Sequence, residues 1–80
     1  MRHISFPYLL LDEYKARIEG DICVNPFSID AYYSDVVDYV QDGVTHSANI
    51  TTIHTRNGRV YELFIPIAEF EQRMQDFLTQ

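Results

Sequence analysis

Ile50-Thr51-Thr52-Ile53-His54-Thr55-Arg56-Asn57-Gly58-Arg59-Val60-Tyr61-Glu62-Leu63-Phe64-Ile65 holds the strongest local signal in the chain. Two β-prone runs flank Asn57-Gly58, and an Asn-Gly pair between such runs is the strongest short-range hairpin signal, because both positions tolerate the positive φ of a type I′ turn. A two-residue loop sets the register: residue 56 faces 59, 54 faces 61, 52 faces 63 and 50 faces 65. One face then carries Ile50, Thr52, His54, Tyr61, Leu63 and Ile65, and the other Thr51, Ile53, Thr55, Val60, Glu62 and Phe64.

Downstream, Ile67, Phe70, Met74, Phe77 and Leu78 recur at helical spacing, with Glu69, Glu71, Gln72, Arg73, Gln75 and Asp76 between them. This is an amphipathic helix over Ala68 to Leu78 whose stripe packs on the sheet. Pro66 suits its first turn, where no backbone donor is needed, and Glu69 and Glu71 sit near the positive end of the helix dipole.

Upstream the signals are shorter. Residues 1–11 read as an N-terminal arm or edge strand, because Pro7 removes a backbone donor. Tyr14, Ala16 and Ile18 alternate with Lys15, Arg17 and Glu19, and Gly20-Asp21 turns them back into Ile22, Cys23 and Val24 as a first hairpin. Asn25-Pro26 is a break, after which Phe27, Ile29 and Ala31 alternate with Ser28 and Asp30 as a strand running into Tyr32 and Tyr33. Ser34 to Gly43 reads either as a short helix capped by Ser34 and burying Val36, Val37 and Val40, or as a long loop.

Eighty residues, 46% of them hydrophobic, with six Tyr and five Phe, make one domain over 1–80 with a thin core. Three glycines and the lone Cys23 leave no phosphate-cradling loop and no internal disulfide. The absence of a signal-peptide pattern makes the cytoplasm the expected compartment. The longest apolar run, Tyr8 to Leu11, is far short of the roughly 20 residues of a membrane span.

The net charge of -6 is concentrated in the middle of the chain. Asp12, Glu13, Glu19, Asp21, Asp30, Asp35, Asp38 and Asp42 oppose only Lys15 and Arg17, which is eight acids against two bases. Nucleic-acid binding normally needs clustered Lys and Arg, so an acidic, Tyr-bearing chain suits a basic protein surface better.

Reactive constellations are not apparent. His3, His46 and His54 are far apart in sequence, and Cys23 has no neighbouring ligand, so no metal is expected. The spacing of Asp35, Asp38 and Asp42 lacks the glycine and closing glutamate of a calcium loop. No serine sits in a glycine-flanked elbow. The expectation is a protein that is not an enzyme and takes no cofactor and no small-molecule substrate. Arg56 and Arg59 form one small basic spot at the hairpin tip, facing each other across the turn.

Val24-Asn25-Pro26, then Ile29, then Thr52-Ile53-His54-Thr55-Arg56-Asn57-Gly58-Arg59-Val60-Tyr61, then the helix from Ala68 to Leu78, resembles the small flagellar and swarming-motility proteins of the FlbD type. The resemblance covers Ile22 to Met74 and implies a compact sheet ending in one helix, with a regulatory or structural role. The chain departs from that pattern in its N-terminal arm, in the acidic insertion between Ser34 and Asn49, and in Pro66. A fainter likeness, to LytTR-type DNA-binding domains, rests on short strands leading into an Asn-Gly hairpin.

Together these readings predict an α+β domain: a mostly antiparallel, curved sheet of four or five strands with one C-terminal helix packed on it. One helix covers one sheet face, so the other is expected to meet a partner, with self-association as a homo-oligomer the leading expectation. The predicted contact surface is Ile53, Val60 and Phe64, with Tyr32, Tyr33 and Tyr39 nearby. The alternatives are an acidic inhibitor that mimics nucleic acid through Asp30, Asp35, Asp38 and Asp42, and a LytTR-like DNA-binding module.

Overall fold

The long hairpin that dominates the molecule is built from the segment with the weakest sequence signal. The computed structural model describes residues 3–79. Among them, β1 (Ile4–Pro7), β2 (Leu10–Leu11), β3 (Arg17–Ile18), β4 (Asp21–Val24), β5 (Ile29–Gln41), β6 (Val44–Thr55), β7 (Val60–Leu63) and α1 (Ile67–Leu78) follow in order. The class is α+β with antiparallel ladders and a C-terminal helix, as expected. The strands number seven rather than four or five, and they divide into ladders β1-β4, β2-β3 and β5-β6-β7.

Ser34 to Gly43 is neither helix nor loop. It completes β5 and turns at Asp42-Gly43, where φ values of 54° and 76° place both residues in the left-handed region that a type I′ turn requires. β5 then pairs with β6 from Gln41↔Val44 down to Ile29↔Thr55. Val36, Val37 and Val40, stiff at χ1, gain more from this pleated surface than from two turns of helix.

The second hairpin has a different register from the expected one. His54 pairs with Val60, Ile53 with Tyr61 and Thr51 with Leu63. The Gly58 amide bonds the Thr55 carbonyl and the Thr55 amide the Arg59 carbonyl, both as in a turn followed by a bulge, with only Gly58 (φ 81°) left-handed. The shift by one residue follows from burial. A two-residue loop would put Ile53 and Leu63 on opposite faces, whereas the bulged loop brings both to the helix side.

The N-terminal region is one interrupted hairpin. Ile4↔Val24 through Pro7↔Asp21 and Leu10↔Ile18 with Leu11↔Arg17 lie on a single register line, so the predicted pairing of residues 14–19 with 22–24 does not form. Asp12 shapes its tip: one carboxylate oxygen accepts from the Tyr14 and Ala16 amides at 2.8 and 2.9 Å. The base of this hairpin supplies Phe6 and Val24 to the core, beside Ile53, Leu63, Ile65 and Phe70.

Helix α1 starts after Pro66 and buries Phe70 and Phe77. Phe6 and Phe70 pack with their rings tilted and their centroids 5.2 Å apart. Leu78, placed on the buried stripe by its spacing, is exposed, while its neighbour Phe77 in the same turn is buried with its ring edge-on to Phe27. The molecule measures 40 × 24 × 20 Å along its principal axes. No described helix is long and apolar enough to cross a membrane.

Candidate protein-binding surface

Alternation along β5 sorts its side chains. Tyr32 lies on the helix side, 4.9 Å from Phe70 between ring centroids, and its hydroxyl donates to Glu71 Oε2 at 2.9 Å. Losing that proton would break the bond and face a carboxylate, so the Tyr32 hydroxyl is held above its ordinary pKa, with the hydrogen bond the main cause and burial second. Tyr33, Asp35, Val37 and Tyr39 face the opposite way.

That opposite face is where the expected contact surface was placed, and the N-terminal hairpin crosses it as a strap. At the β7 edge the Phe64 amide bonds the Pro7 carbonyl and the Leu9 amide the Glu62 carbonyl, both at 2.9 Å. At the far edge the Val40 amide bonds the Lys15 carbonyl at 2.8 Å. Pro7, which has no donor, is used for its acceptor. Between the two edges Arg17 lies over the Phe64 ring, and Leu9 and Ile50 are buried.

The predicted contact residues therefore separate. Ile53 is fully buried on the helix side, a correction that follows directly from the register shift. Phe64 is half-buried beneath the strap, edge-on to Tyr39 at 5.2 Å. Val60, Tyr32 and Tyr33 are exposed. His54 lies beside Tyr33, with Nε2 3.3 Å from its hydroxyl, and pairs with Val60 rather than Tyr61.

The four acids do not form one patch. Asp30 pairs with Arg56 at 3.4 Å, Asp35 accepts from the Val36 amide, Asp38 accepts from the Ser47 hydroxyl, and Asp42 occupies the turn. Asp35 and Asp38 point to opposite faces by their spacing. The expected facing of Arg56 and Arg59 is likewise absent from the ladder, since Arg56 belongs to the turn and its side chain turns to Asp30.

What the sequence reading missed is the outer edge of β5. The type I′ turn makes Gln41 and Val44 a hydrogen-bonded pair, so odd-numbered residues of β5 bond β6 and even-numbered ones present N–H and C=O outward. The Val40–Lys15 bond obeys this rule and closes one end of the edge. Asp30 with Arg56 marks the other. Among the described residues no backbone group pairs with Tyr32, Ser34, Val36 or Asp38 on that side. The signal that would have found it is Asp42-Gly43, which fits the type I′ rule from which Asn57-Gly58 departs.

A cavity of about 290 Å³ lies between β4 and the 55–57 turn. Its hydroxyls serve the chain's own turns: Ser28 donates to the Asn25 carbonyl and Thr55 to the Asn57 side chain. Among the described residues no group of three His, Cys, Asp or Glu is placed to hold a metal ion. No protein-family model, no curated protein and no solved structure matches the chain.

Proposed function

We propose that this protein is a non-catalytic protein-binding module that works as a monomer and meets its partner along the outer flank of β5. The observation that supports this reading is the open edge from Tyr32 to Asp38, flanked by exposed Tyr33 and Val36. The premise for a homo-oligomer was an unshielded sheet face, and the strap over Phe64 and Ile50 removes much of it. An adaptor or regulatory role, as the FlbD-type resemblance implies, is compatible with such a surface. A nucleic-acid mimic needs a regular row of free carboxylates, a poorer match to acids engaged by Arg56, Val36 and Ser47. Binding DNA through the hairpin tip is a poorer match again, with Arg56 already paired to Asp30.

The test compares proteins captured from the cells that make this chain by the wild type and by a Tyr33→Ser, Val36→Ser variant of the same fold. A defined protein retained by the first and lost by the second is the expected result. Equal capture by both, or capture of nucleic acid alone, would contradict the reading.

A further inference from the structure

We propose that the occupant of this flank is an extended, basic segment of the partner protein, which adds as a strand to the outer edge of β5; this rests on the reading of the protein as a binding module. The free edge runs over seven residues, Tyr32 to Asp38, a length of roughly 23 Å at about 3.3 Å per residue. Its unpaired donors and acceptors supply the main-chain bonds of strand addition. Charge decides the occupant. From Ile29 to Thr55 the two hairpin arms and their turn contain Asp30, Asp35, Asp38 and Asp42 and no Lys or Arg. A second copy pairing edge to edge would bring two such sets of acids together, whereas Lys or Arg on the incoming strand meets Asp35 on one face and Asp38 on the other.

Asp35 gives the edge a latch. Its carboxylate accepts from the Val36 amide at 2.8 Å, which blocks one outward donor while no partner is present. Such self-capping guards an edge strand against indiscriminate pairing. An incoming cation draws the carboxylate away, and the freed amide bonds the partner backbone. The edge therefore opens preferentially to a positively charged strand.

The experiment titrates the full chain with a peptide of about nine alternating Lys and Val residues, long enough for the edge, and reads amide hydrogen exchange. Three companions accompany it: the same peptide N-methylated at alternate positions, a Glu/Val peptide, and the Val36→Pro variant. Proline is tolerated on an edge strand where the N–H faces solvent, and circular dichroism checks that the variant folds. The expected result is binding with slowed exchange at Ser34, Val36 and Asp38, weakened at least about tenfold by N-methylation or by Val36→Pro, and absent for the Glu/Val peptide. Equal binding of the N-methylated peptide, or no slowed exchange at these amides, overturns strand addition even if the chain captures a protein in cells. Slowed exchange without peptide, together with a dimer in light scattering, would assign the edge to a second copy instead.

Discussion

The Arg17 guanidinium lies 4.1 Å from the centre of the Phe64 ring, and Tyr39 meets the same ring edge-on. This stack holds the strap against the back of the sheet, with the Arg17 charge over the π face of Phe64. Arg17→Ala is expected to cost about 1–2 kcal/mol in urea unfolding and to increase binding of an apolar dye. Unchanged stability and dye binding would mean that the strap does not shield the face.

Phe64→Asp carries the same logic further. A carboxylate placed under Arg17 and against Tyr39 loses the ring's burial, so the expected outcome is a loss of about 2–4 kcal/mol with no change of mass in light scattering. Had Phe64 been an interface residue, this variant would dissociate an oligomer and keep its stability.

The register of β6 against β7 is tested by a pair of truncations. Ile53→Ala empties a fully buried site and should cost about 2–5 kcal/mol, whereas Val60→Ala, at an exposed position, should change stability by no more than about 0.5 kcal/mol. Thermal melts of the two variants check this. Equal costs would restore the two-residue loop.

The Tyr32–Glu71 hydrogen bond has a pH signature. The Tyr32 hydroxyl is raised in the folded protein, so its contribution is fully present below the unfolded tyrosine value of about 10 and is lost as pH rises through the folded value. Ultraviolet titration should show one tyrosine ionising later than the rest, and Glu71→Gln should remove most of the delay. A delay unaffected by Glu71→Gln would point to burial instead.

How much of this was legible in the sequence depended on whether a local signal and core burial agreed. Helix α1 was legible because Phe70, Met74 and Phe77 repeat at its period and Pro66 marks its start. The Asn57-Gly58 turn was legible as a turn and not as a register, because the choice between a two-residue loop and a bulge is made by Ile53 and Leu63 meeting in the core. Asp42-Gly43 was hidden by three valines whose spacing also fits a helix. The strap was least legible: Pro7 reads as an interruption until its carbonyl is seen to bond Phe64, and the extent of the open β5 edge is set only by where that strap ends, at Val40.

The strap over Phe64 covers the back of the sheet from within one chain, so a single copy is expected in solution. Multi-angle light scattering over a wide range of protein concentrations tests it most directly. The mass of a single chain is expected throughout, while a mass that climbs to that of a dimer, with Phe64→Asp returning it to one chain without loss of fold, would show that the strap does not suffice.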